Sequence, residues 1–137
     1  MRLKKRFVVF AALVGAIAAI SAVAIAGSPH FVDSTVTATQ SGNTLTVTGK
    51  EAGLGDEAQV QIQVTATALC INNGGNHPKA VNKASVSAVG TFPVQNGKAD
   101  FSLTLTAVFQ PDCSPPMTVA FTNIVVTDLT NNISVKL

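Results

Sequence analysis

The chain has 137 residues and a formal net charge of +2, nine Lys plus Arg against seven Asp plus Glu. Four of the positives (Arg2, Lys4, Lys5, Arg6) stand in the first six residues, and from Gly27 onward five Lys and no Arg face five Asp and two Glu, a net of −2. That balance excludes a basic nucleic-acid binder, the length excludes a two-domain enzyme, and one small exported domain is left.

Residues 1–26 read as an export signal. A basic start is followed by an apolar and small-residue run from Phe7 to Ala26, ending in Ala24-Ile25-Ala26, an A-x-A cleavage pattern. Gly27-Ser28-Pro29 breaks the run. The alternative is an uncleaved N-terminal anchor, since about 20 apolar residues span a bilayer. The basic end would then stay in the cytoplasm, and only in that case would the protein contact a membrane. Both readings put residues 27–137 outside the cytoplasm, secreted or in the cell envelope.

Beyond residue 30 the apolar residues recur with period two, the mark of half-buried strands. Strands are expected at 34–40 and 44–49. The longest follows, with Ala58, Val60, Ile62, Val64, Ala66, Ala68 and Cys70 apolar at even positions and Gln59, Gln61, Gln63, Thr65 and Thr67 between them. Ala84-Val86-Ala88 and Phe92-Val94 share one phase around Gly90, expected to be a bulge or a close approach. Ala99 to Phe109 alternates on odd positions. The 117–127 run changes phase between Phe121 and Ile124, which predicts a bulge near Thr122-Asn123. A last strand is expected at 133–137.

Turn residues fall between these runs. Asn96-Gly97 tolerates the positive φ of a tight hairpin, Ser41-Gly42-Asn43 closes the first hairpin, and Leu129-Thr130-Asn131-Asn132 closes the last. The 15 Thr from residue 27 onward suit half-exposed strands. About seven antiparallel strands, no helix and frequent turns describe an all-β, immunoglobulin-like β-sandwich over 27–137. A barrel is the second choice.

Only Cys70 and Cys113 are present, and an exported pair is expected to form a disulfide. Three successive long strands return the chain to the end where it left Cys70, with both sulfurs facing inward. A redox thiol is the lesser alternative, since neither a C-x-x-C pair nor an adjacent cation is present.

The loop after Cys70 is the expected recognition element, with Asn72, Asn73, Asn76, His77 and Lys79 as partner-binding residues. The 110–116 segment and the Ser41-Gly42-Asn43 turn gather at the same end. Asn and Gly are equally ordinary turn formers, so the loop can also be purely structural. His30 and His77 are the only imidazoles; His30 lies just past the cleavage site, where a loose terminus is expected, and nothing has zinc-ligand spacing. Glu51, Asp56, Glu57 and Asp128 collect at the opposite end, where Ca²⁺ ligation is weighed against solvated loop carboxylates and the latter preferred. No nucleophile–base pair or acid–base carboxylate pair suggests an enzyme, and no cofactor is implied. With no Tyr or Trp, and five Phe at or near apolar strand positions, stacking platforms for sugars or single strands are not evident. Asn132-Ile133-Ser134 is a glycosylation sequon. A Lys50–Asn123 isopeptide cross-link is a remote covalent alternative.

The stretches 49–55, 70–76 and 113–117 resemble those of small exported bacterial immunoglobulin-like proteins of uncharacterised function. The resemblance implies fold and destination and brings no catalytic or binding residue with it. The expected function is a non-catalytic extracellular or cell-envelope module, binding or structural, whose partner is an extracellular protein or envelope component. The alternative is a small secreted protease inhibitor presenting the Pro-rich 111–117 loop.

Overall fold

Side chains that alternate in polarity must form strands if one face is to leave water, and the expected runs do so. The computed structural model describes residues 28–72 and 82–137. The expected signal or anchor lies outside the described residues, as do Asn73, Asn76, His77 and Lys79. The strands are β1 (His30–Phe31), β2 (Thr37–Ser41), β3 (Thr44–Ala52), β4 (Gln59–Ile71), β5 (Lys83–Pro93), β6 (Ala99–Thr106), β7 (Thr118–Asp128) and β8 (Ile133–Lys136). Seven match expected runs; β1 is additional. Among the described residues no helix is long and apolar enough to cross a membrane.

Two antiparallel sheets result. In the first, β3 pairs with β6 along one edge, while β2 and the short β1 share the other. In the second the order is β5-β4-β7-β8. The inner faces meet in a core of Leu45, Val47, Phe101, Leu103 and Leu105 against Val60, Ile62, Val64 and Val126. On the first sheet's outer face hydroxyls line up across strands. Thr37 meets Thr48 at 3.2 Å and Thr46 meets Thr104 at 3.0 Å between their Oγ1 atoms. At the gap between β2 and β7, Gln40 Nε2 donates to the Val119 carbonyl at 2.6 Å, a link from one sheet to the other.

The turn chemistry follows the residues. Asn96 and Gly97 both take positive φ, 52° and 74°, and Gln95 bridges to Lys98. This is the hairpin geometry that Asn-Gly favours. The expected bulge in β7 is present: Thr65 faces Val125 but Thr67 faces Thr122, and Asn123 takes a φ of 53°. Asn is among the few non-glycine residues that enter this region readily.

Two local expectations need correction, and an alternative left open at Gly90 is decided. Residues 34–35 do not open a strand; Asp33–Thr35 is a 3-10 turn, and Thr35 Oγ1 donates to the Val32 carbonyl at 2.7 Å while accepting from Lys50 N. His30 is not in a loose terminus, because it pairs with Ala52 and neighbours the buried Phe31. Gly90 is no bulge, since β4 and β5 pair through it without a shift.

Gly90 is the close approach, the other of its two expected readings. A Cβ there would meet Phe92 Cζ at 2.9 Å and Leu103 Cδ2 at 3.0 Å, so side chains of both sheets occupy the space a methyl needs. Gly90→Ala is expected to cost about 1–3 kcal/mol from overpacking. Chemical denaturation checks this, and an unchanged midpoint would mean that Phe92 turns aside freely.

Candidate functional site

The two ends of the sandwich differ in chemistry. At one, β4 carries its inward register to Cys70, and the chain beyond β6 returns at Cys113. The sulfurs are bonded, with Cα atoms 5.7 Å apart, as the strand directions require. Ala68, Cys70, Ala107 and Phe109 form a second small core, with Met117, Val119 and Phe121 packed against it. Met117 Sδ lies 3.7 Å from Cys70 Sγ. A bridged sulfur has no hydrogen to donate, so this is a packing contact.

The Gly42-Asn43 turn is fastened to the same end. Ala107 N donates to the Asn43 carbonyl at 2.8 Å, and Asn43 Nδ2 donates to the Ala107 carbonyl at 3.2 Å. Between this turn and the 113–117 segment lies a hollow of about 560 Å³, lined by Gln40, Asn43, Cys113, Pro115, Met117 and Val119 among others. A second, of about 340 Å³, adjoins it beside Val108, Phe109 and Asp112. Val108 is 66% exposed there. Asn72, where the expected recognition loop begins, is exposed and directly follows β4.

At the far end stands a pair of acids. Glu51 lies on the inward register of β3 with Leu45 and Val47; Asp128 closes β7 on the same register as Val126. Both are 0% exposed. Asp128 Oδ1 accepts from Thr130 N at 2.8 Å and Asn131 N at 3.1 Å; its Oδ2 accepts from Asn131 Nδ2 at 2.7 Å. The Asn131 amide also donates to Glu57 Oε2 at 3.1 Å. Glu51 receives no hydrogen bond from any donor among the described residues. Two carboxylates are both acceptors, so a hydrogen bond between Glu51 and Asp128 requires a proton on one of them.

The electrostatics agree. Burial, then the hydrogen bond to Asp128, then the charges of Asp128 and Glu57 push the Glu51 carboxyl up to about 9. Burial also raises Asp128, but hydrogen bonds from Glu51, Asn131 and Thr130 outweigh it and hold that carboxyl below its ordinary value.

No protein-family model, curated protein or solved structure matches the chain. The site therefore rests on its own geometry. The expectation of solvated carboxylates at the far end is corrected for Glu51 and Asp128, because both side chains point between the sheets; Asp56 is exposed. Among the described residues, no three His, Cys, Asp or Glu are placed to hold a metal ion. Lys50 and Asn123 are not brought together: Lys50 Nζ reaches Asp100 at 3.9 Å on the first sheet's outer face, while Asn123 sits in the β7 bulge of the second sheet. The Glu51–Asp128 pairing itself was not foreseen. Its signal was an acid on the inward register of each of two strands.

Proposed function

We propose that the protein is a non-catalytic, extracytoplasmic, immunoglobulin-like module that works by contact with an extracellular protein or envelope component. The contact surface is the disulfide-stapled end. One observation carries this reading: the hollow between Asn43 and the 113–117 segment, walled partly by apolar atoms and fixed by the Cys70–Cys113 bridge. Recognition sites are commonly built from loops on a rigid scaffold. The immunoglobulin-like description is supported by the strand order, β2-β3-β6 facing β5-β4-β7-β8. An exported destination is supported by the disulfide, which persists in oxidising compartments.

The protease-inhibitor alternative is less well supported. An inhibitory loop must lie extended in an enzyme cleft, whereas here Met117 N donates to the Ser114 carbonyl at 3.0 Å and folds the segment into a turn.

Photo-crosslinking in cells that export the full chain tests the contact surface. A photoreactive side chain at Val108 or Met117 is expected to trap a discrete adduct. The same group at Thr104, on the outer face of the first sheet, is expected to trap none. Adducts from Thr104 alone, or equally from all three positions, would remove the assignment.

A further inference from the structure

Two buried carboxyl groups from opposite sheets, with no basic side chain of the described residues facing them, constitute an unusual way to hold a sandwich together. Two ionised carboxylates in that position would repel in a poorly screened interior. One proton resolves the conflict if it is shared along the Glu51–Asp128 contact. Asp128 meanwhile organises the 129–132 turn through Thr130 N, Asn131 N and Asn131 Nδ2. Asn131 extends the network to Glu57 in the connection between β3 and β4. Neighbouring bonds tie that turn to the second sheet: Leu129 N donates to the Gln61 carbonyl at 2.8 Å, and Gln61 N donates to Thr130 Oγ1 at 3.0 Å.

We propose that Glu51 and Asp128 form a proton-held clasp between the two sheets, which releases the 129–132 turn as pH rises. The inference is independent of the contact surface at the other end.

The groups that face Glu51 are Asp128 from β7 and Glu57 from the β3–β4 connection, and both are acids. Lys50 on its own strand and Asp100 on β6 point to the other side of the sheet, where they pair with each other. His30 on the adjacent β1 is exposed and turns its Nδ1 to the Ser28 carbonyl at 2.8 Å. Loss of the proton would thus leave Glu51 with negative neighbours alone.

The direction of the pH effect follows. Glu51 binds its proton more tightly closed than open, about 9 against an ordinary 4.5. The closed form is therefore favoured in acid, and the advantage drains away as pH rises through that interval. Asp128 acts oppositely, since its depressed value makes its contribution disappear only on strong acidification. The clasp is tightest at about pH 4 to 5.

The test uses the full chain and its Glu51→Gln variant, whose amide can donate to Asp128 without titrating. Carboxyl-carbon NMR is expected to show Glu51 still protonated near neutral pH. Protection of the Thr130 and Asn131 amides, corrected for intrinsic exchange, is expected to fall by up to about tenfold per pH unit above roughly pH 5. In Glu51→Gln the same protection should be flat. A Glu51 that titrates near its ordinary value in the folded protein, or the same slope in Glu51→Gln, would overturn the clasp. If the variant does not fold, the wild-type carboxyl titration decides alone. Repeating that titration in millimolar CaCl₂ separates proton from cation: an unchanged midpoint supports the shared proton, and a Glu51 that ionises readily in calcium overturns it.

Discussion

Replacing both members of the Cys70–Cys113 bridge with alanine is expected to lower the unfolding free energy by about 4 kcal/mol. The bridge joins residues 43 apart in sequence. Cutting it frees the unfolded chain to explore conformations that the closed loop denies it, and the logarithm of loop length sets the size of the effect. For a domain of this length the melting temperature should fall by on the order of 15 °C. The loss is not only entropic. Cys70 is buried against Ala68, Ala107 and Phe109, so truncation also thins the smaller core. Urea denaturation of the double variant, beside wild type with and without reductant, measures both parts. The entropic part appears in reduced wild type, and the packing part is the difference between reduced wild type and the alanine variant. A total loss below about 1 kcal/mol would show that the bridge does not limit the unfolded chain as loop-closure entropy requires.

Phe101→Ala should be about as damaging, at about 3–5 kcal/mol. Phe101 is the residue on which three elements converge. Its ring meets the edge of Phe31 on β1, with centroids 5.9 Å apart, and that of Phe92 on β5 at 6.3 Å. Its partner on β3 is Gly49, where a Cβ would come within 2.8 Å of Phe101 Cζ. The ring thus fills space that the sequence has cleared for it, and its removal leaves a cavity between the sheets. The two aromatic contacts add about 0.5–1.5 kcal/mol each beyond the area they bury. The short β1 has few other holds, so its amides should lose hydrogen-exchange protection before those of β4 do. Equal loss across all strands would show that β1 is secured by something other than the Phe31–Phe101 contact.

What could be read from residues alone was whatever a short window contains. The even-numbered apolar run from Ala58 to Cys70 announces a strand and its inward face because side chains alternate across a pleat. Asn96-Gly97 announces its turn for a similarly local reason. The phase change in 117–127 located the Asn123 bulge, since one extra residue must invert the alternation. Partnership is different. Nothing in the 83–93 and 99–106 runs says that β5 joins the second sheet and β6 the first, because alternation identifies a face and not a neighbour. β1 is too short to show periodicity, and the hydroxyl of Thr35 drew 33–35 into a tight turn where alternation alone favoured extended chain. The carboxyl pair was hidden for the same reason. Glu51 and Asp128 stand 77 positions apart, and each alone resembles a solvated charge near a strand end. Only pairing geometry shows that the sheets press them together. At the disulfide end, strand direction was enough to foresee the bridge, but the hollow beside Asn43 depends on where the 113–117 turn settles.

Gln40 bears on how copies of this domain meet one another. β8 runs beside β7 only from Val125 to Asp128, so 118–124 has no further strand next to it among the described residues. Uncovered edges of this kind are where sheets recruit strands from other molecules and grow into aggregates. The Gln40 amide already occupies the Val119 carbonyl and is steadied by a second bond to the Gly42 carbonyl at 2.9 Å. An incoming strand must first evict a side chain supplied from within. Asn123 then spoils the regular spacing such a strand would need a few residues further on. A single uncharged glutamine and one bulge thus take the place of the lysines that more often guard such an edge, which suits a chain with no arginine and few lysines beyond residue 27.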